Sequence, residues 1–273
     1  MNEIHPSRFH SRFVKESETA PRVSRRSFCV ALGSAIAGLS CGIGGTEPPD
    51  NATATPELSA RPAAPTQVTT PGFYQLWGES PRCHLLVPNS YRADTPLPLV
   101  VALHGAGSTS EGQYSLLASY AHDRGFLLLL PESQFQTWDG IQGLYATDLH
   151  TIDAGLTKTF ERCAVDFNRV SLEGFSDGAS YALGVGITNP QVFTRVVAFS
   201  PGFVTPASPK AAKPRVFISH GWRDPVLPID GSSRIIVPEL IEAGFSVDYH
   251  EFDGVHQITA PILAAALDFM LLP

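Results

Sequence analysis

The sequence predicts one α/β domain, with a mostly parallel central sheet and helices on both faces. Three observations predict it. From residue 72 onward, short apolar runs alternate with segments of helical spacing. Most of those runs are continuously apolar, the pattern of strands buried on both faces. Gly or Pro punctuates most junctions between them.

Residues Gly72–Trp77 and 82–87 alternate polar and apolar, as an antiparallel pair at a sheet edge does. Leu97–Leu103 is a continuous apolar run ending at His104-Gly105, a central strand. Residues 111–123 read as a helix closed by Gly125, and 126–130 as a buried strand stopped by Pro131. Thr147–Arg162 has helical spacing. Residues 169–172 form a strand that runs into Gly174, and 179–187 a helix ending near Asn189-Pro190. Strands follow at 196–199 and 216–219, a helix at 232–243 closed by Gly244, a strand at Val247–Phe252, and a last helix at 261–271. No internal repeat interrupts the order.

Composition agrees. The chain has 273 residues, 43% hydrophobic and 16% charged, enough for a sizeable core in one catalytic-sized domain. That composition, with 23 Gly and 23 Pro, rules out a collagen, a coiled coil and a wholly disordered chain. A formal charge of −7 argues against binding nucleic acid through its phosphates.

The N-terminus is different. Residues 1–41 hold six basic and three acidic residues. Ser24-Arg25-Arg26-Ser27-Phe28-Cys29 leads into an uncharged run of 13 residues, 28–40. A spanning helix needs about 20, so the run reads as the core of an export signal. The paired arginines resemble a bacterial twin-arginine signal, against an ordinary basic leader as the plainer reading. Gly38-Leu39-Ser40-Cys41 stands where a lipoprotein signal carries its lipid-modified Cys, although Gly38 departs from the usual apolar residue. Lipid anchoring at Cys41 and free secretion both fit. Residues 42–71 are rich in Gly, Pro, Ala and Thr without apolar periodicity, and are expected to be a disordered tether. The organisation expected is therefore an export signal over 1–41, that tether, and a catalytic domain over 72–273. Cys83 and Cys163 remain for the domain, either as a disulfide or as two buried thiols.

Gly174-Phe175-Ser176-Asp177-Gly178 is G-x-S-x-G, with a buried strand entering and a helix leaving. Such a turn lifts Ser176 above the sheet edge, with the helix N-terminus behind it. The plain alternative is a Ser that only caps the helix. A serine hydroxyl needs an adjacent base. His220, His250 and His256 lie downstream. His250 falls inside an alternating strand. His256 sits in a loop after the last strand, on the rim that holds Ser176, and is the expected base. The imidazole needs a carboxylate to orient it. Asp224 follows the 216–219 strand in a Gly/Pro-rich loop; Asp230, Asp248 and Asp253 compete. Asp224 fits the chain order Ser, Asp, His.

These marks resemble the α/β-hydrolase superfamily, and within it the small carboxylesterase, phospholipase-like and dienelactone-hydrolase-like group. The resemblance covers roughly residues 73–273. It rests on Leu103-His104-Gly105-Ala106-Gly107, the G-x-S-x-G turn, the run from His220 to Pro228, and Gly254-Val255-His256. It implies an α/β-hydrolase fold with Ser176 as nucleophile, His256 as base and then acid, and Asp224 as its orienting carboxylate. It also implies an oxyanion hole from the N–H groups of Asp177 and Ala106. The family's longer Gly-rich loop gives way here to Ser108-Thr109-Ser110. His104 is expected to order that loop rather than act as a second base.

Trp138 and Trp222 are expected on the same rim, either lining a pocket or packing. No long insertion between 193 and 214 supplies a large lid, which favours small or soluble esters. No cofactor is expected, since the chain has no dinucleotide glycine pattern, phosphate loop or zinc-spaced Cys/His cluster. The expected function is hydrolysis of small carboxylic esters through an acyl-enzyme. A peptidase, thioesterase or acyltransferase on the same fold, or a non-catalytic surface binding domain, are the alternatives.

Overall fold

A computed structural model describes residues 55–77 and 81–273. The expected export signal, Cys41 and tether residues 42–54 lie outside them. The strands are β1 (Gly72–Trp77), β2 (Cys83–Val87), β3 (Leu97–Leu103), β4 (Leu127–Pro131), β5 (Val165–Phe175), β6 (Arg195–Phe199), β7 (Arg215–Gly221) and β8 (Val247–Phe252). The helices are α1 (Ser110–Arg124), α2 (Thr147–Arg162), α3 (Asp177–Thr188), α4 (Ser233–Glu242) and α5 (Ala260–Leu271). Two short 3₁₀ turns supplement them.

The strands form one sheet in the order β1-β2-β4-β3-β5-β6-β7-β8. β1 and β2 are antiparallel at one edge, and the other six run parallel. Alternate side chains feed two cores. Leu99, Val101 and Leu103 of β3 join α2, α3 and α4 on one face. Val100 and Ala102 join α1 and α5 on the other. Burial on both faces is why these strands are continuously apolar. The α/β-hydrolase architecture expected from sequence is the one present.

Most boundaries fall within two residues of expectation, and two starts are instructive. β5 runs from Val165 to Phe175, well beyond 169–172, because polar Asp166 and Asn168 hide its first half. α3 starts two residues earlier than its apolar pattern does, since Asp177 and Gly178 carry no such signal.

The expectation of a disordered tether is corrected over residues 55–71. Leu58 and Ala60 are buried in the α2–α4 core. Asn189 brackets the segment, its Oδ1 accepting from Leu58 N–H (2.8 Å) and its Nδ2 donating to Pro56 O (2.6 Å). Asp153 of α2 accepts from the N–H groups of Ser59 and Ala60. The Glu161 carbonyl accepts from Thr66 and Gln67 N–H, both at 2.9 Å. The segment has no periodicity because it forms no element of its own. Helix side chains and carbonyls satisfy its backbone instead.

Cys83 and Cys163 are both free and buried, which decides for two thiols. Burial pushes the Cys163 thiol up to about 12 and raises Cys83 as well.

Candidate active site

The loops after β3, β5, β7 and β8 leave the same rim of the parallel sheet, where open α/β sheets gather their ligands. They carry Ala106, Ser176, Asp224 and His256.

Ser176 stands between β5 and α3 with φ 57° and ψ −121°. A non-glycine residue held there costs about 1–3 kcal/mol. Its N–H is tied to Phe199 O at 2.9 Å. The flanking glycines are required by space. A Cβ on Gly174 would strike the Gly178 carbonyl, and one on Gly178 would lie 2.5 Å from His104 O. Strand, turn and helix meet too closely for any side chain.

His256 Nε2 lies 2.9 Å from Ser176 Oγ, and its Nδ1 2.6 Å from Asp224 Oδ2. A carboxylate only accepts, so Nδ1 carries the proton and Nε2 faces the serine hydroxyl as an acceptor. Phe175 packs against the imidazole at 4.7 Å between rings. Asp224 Oδ1 accepts from Val226 N–H (2.8 Å) and Leu227 N–H (2.9 Å). Burial opposes its charge, but the hydrogen bonds from Leu227, His256 and Val226 hold the carboxyl below its usual range. Backbone bonds align the two loops: Trp222 N–H donates to Phe252 O and Arg223 N–H to Gly254 O, both at 3.0 Å. The competing acids are engaged elsewhere, Asp230 with Arg234, Asp248 beside His250 and Asp253 with Arg223. His250 is stacked on Phe217 at 4.7 Å.

Ala106, Gly105 and Ser176 line one cleft of about 580 Å³ with His256, Val226 and Ile258. Gly105 O accepts from His104 Nδ1–H (2.9 Å) and Ser108 N–H (3.1 Å). In a trans peptide the N–H points opposite the C=O, so the Ala106 N–H is turned away from both donors. His104 Nε2 accepts from Ser133 N–H at 3.1 Å, which fixes the tautomer. Burial lowers its pKa, outweighing the Gly105 bond. His104 thus orders the loop, as expected. Asp177 is the first residue of α3, where backbone N–H groups have no intrahelical acceptor.

In the segment after β4, sequence reasoning points to Trp138 but misses its neighbours Gln136 and Thr137. Gln136 O accepts from Gly107 N–H at 2.6 Å, and Thr137 Oγ1 donates to Asp177 Oδ2 at 2.6 Å. The segment therefore braces the loop of Ala106 and the residue after Ser176 together. No sequence signal marks a lone Thr for that task. Neither tryptophan lines the cleft. Trp138 is fully buried and donates to His104 O at 2.8 Å. Trp222 is half exposed and donates to Asp253 Oδ1 at 3.1 Å. Among the described residues, no group of three His, Cys, Asp or Glu could hold a metal ion, and no helix is long and apolar enough to cross a membrane.

Comparisons place this geometry among known proteins. The chain is 31% identical over 136 residues to feruloyl esterase B of Neurospora crassa and 28% identical over 136 residues to that of Thermothelomyces thermophilus. Each match covers 45% of this chain and 46% of the relative, so it spans about half the length of the curated relatives. The crystal structure of esterase PE8 superposes with a TM-score of 0.55 at 26% identity, over 68% of this chain and 95% of that one. The carboxylesterase from Mesorhizobium loti shares the fold at 18% identity, with a TM-score of 0.59 over 74% of this chain and 99% of that one. A family model described as phospholipase/carboxylesterase matches residues 129–272, which hold Ser176, Asp224 and His256 together. With more than half of its length inside that match, the chain belongs to the phospholipase/carboxylesterase family.

Proposed function

We propose that the protein is a serine hydrolase of small carboxylic esters that works through an acyl-enzyme. One observation carries the reading. The Ser176 hydroxyl, strained out of ordinary backbone geometry at a cleft, lies 2.9 Å from an imidazole whose far nitrogen is held by a buried carboxylate.

In this reading Ser176 Oγ attacks the ester carbonyl carbon as its proton passes to His256 Nε2. Asp224 keeps the imidazole in the receiving tautomer and stabilises the imidazolium. The carbonyl oxygen becomes an oxyanion between the N–H groups of Ala106 and Asp177, at the positive end of α3. The C–O bond to the alcohol breaks, and His256 returns the proton to the leaving oxygen. Water then attacks the acyl-serine by the same steps, releasing the acid and free Ser176. One such donor is worth about 100- to 1,000-fold in rate.

The cleft carries apolar Leu116, Phe175, Val226 and Ile258 beside the polar loop. That lining suits an acyl group of modest size. The named activity of the curated relatives puts hydroxycinnamoyl esters in the substrate range to be tried.

The test is hydrolysis of p-nitrophenyl esters from acetyl to palmitoyl, and of methyl ferulate, by the protein and by Ser176→Ala. Cleavage favouring short or aromatic acyl groups, lost by at least about 10⁴-fold in the variant, is expected. A best rate on palmitoyl ester would move the reading to lipids. Activity that survives in the variant would overturn the assigned nucleophile.

A further inference from the structure

His220 is one of the three histidines downstream of Ser176. It is the penultimate residue of β7, fully buried and beneath Asp224. Its Nδ1 lies 2.7 Å from Ser233 Oγ, at the start of α4. Its Nε2 lies 2.8 Å from Leu227 O and 3.2 Å from Asp224 Oδ2. A carbonyl and a carboxylate only accept, so the proton sits on Nε2 and Nδ1 accepts the Ser233 hydroxyl. Burial lowers its pKa, against the pull of Leu227 O and Asp224.

Leu227 is therefore gripped at both ends. Its N–H donates to Asp224 Oδ1 and its carbonyl accepts from His220. His220 restrains Asp224 directly at Oδ2, and indirectly through the residue that holds Oδ1. Oδ2 is also the oxygen that meets His256 Nδ1.

We propose that His220 is a positioning residue for the Asp224–His256 pair, a role that rests on the ester-hydrolase reading above. It fixes the carboxylate, and its neutral N–H draws negative charge from the oxygen that His256 shares. Without that N–H the carboxylate would pull harder on the proton that His256 Nδ1 donates. The other ionisable groups around the pair are Glu251, opposite His220 on β8 and bound to Arg234, and Asp253, bound to Arg223. They are unchanged in the variants below.

The experiment is the pH profile of kcat/KM on p-nitrophenyl acetate from pH 5 to 9. It compares the protein with His220→Gln, which keeps an N–H near Nε2, and His220→Met, which has none. The acid limb is expected to rise by about half a pH unit in His220→Met and to stay in place in His220→Gln. A fall in rate or melting temperature with the limb unmoved in both variants would overturn the proposal, leaving His220 as packing. If His220→Met does not fold, ¹⁵N-histidine NMR of the unaltered protein decides. His220 should be the neutral Nε2–H tautomer at pH 8, and an Nδ1–H tautomer would overturn it. Ser176→Ala in the same assay separates the two failures. If it hydrolyses as fast as the unaltered protein, Ser176 is not the nucleophile and the triad reading fails, while the NMR result still judges the tautomer.

Discussion

Replacing Glu173 with glutamine should remove a loss of stability that the protein otherwise suffers as pH rises. Glu173 lies in β5 between Ala102 and Val197, on the sheet face covered by α1 and α5. It is buried, and neither carboxyl oxygen has a hydrogen-bond partner. Burial pushes its pKa from 4.5 to about 8, so the group is a neutral acid at pH 7. The sign follows from proton binding. Between pH 4.5 and about 8 the folded chain holds a proton that the unfolded chain has lost, so stability falls as pH rises through that window. The slope is about 1.4 kcal/mol per pH unit, and the whole fall about 5 kcal/mol. Glutamine has the same shape and never ionises. The stability of Glu173→Gln relative to the parent should therefore grow by about 2.7 kcal/mol from pH 5 to pH 7. For a domain of this size that widens the gap in melting temperature by about 5–11 °C. Urea and thermal unfolding of both proteins at pH 5, 6, 7, 8 and 9 measures it. Taking the difference cancels the titration of His104, His220 and Asp148, which both proteins share. Any constant offset from the new amide does not matter, because only the slope is diagnostic. A gap that stays flat with pH would refute the reasoning, by showing that the carboxyl is solvated or paired.

Three further outcomes are expected. Thr137→Val removes the brace on Asp177 and should lower kcat about tenfold with KM within twofold, while Thr137→Ser keeps the activity; a change confined to KM would count against the brace. Leu58→Ala should cost about 2–3 kcal/mol in urea unfolding, since Leu58 is only 2% exposed, whereas a loose tether would lose nothing. Changing Arg25 and Arg26 together to Lys should keep the protein inside the cytoplasm of a bacterial host, read by cell fractionation; unaltered export would leave the ordinary leader as the better reading.

Much of the fold is legible in the chain because its signals are local. An apolar run such as Leu97–Leu103, or the left-handed Gly125 closing α1, states its structure without reference to anything distant. Ser176, Asp224 and His256 are legible for a related reason. Each follows a strand, and parallel strands deliver their loops to one rim. The Gly residues around Ser176 announce a turn that tolerates no side chain. What the chain hides depends on partners far away in sequence. Asp166 and Asn168 make the first half of β5 look like loop, yet Val165 pairs with Leu97 of β3. Leu58 sits in a stretch with no pattern and is held by Asn189, 131 residues on. Thr137 is an ordinary residue until Asp177 stands 2.6 Å away. Of the three histidines downstream of Ser176, sequence singles out His256, and only the tertiary structure shows what each touches: His256 meets Ser176, His220 lies under Asp224, and His250 stacks on Phe217. Sequence by itself determined which elements form and which residue types gather on the rim, because periodicity and turn chemistry act over a few residues. Tertiary structure decided which side chain holds which, because a hydrogen bond is set by a distance in space that no spacing along the chain encodes.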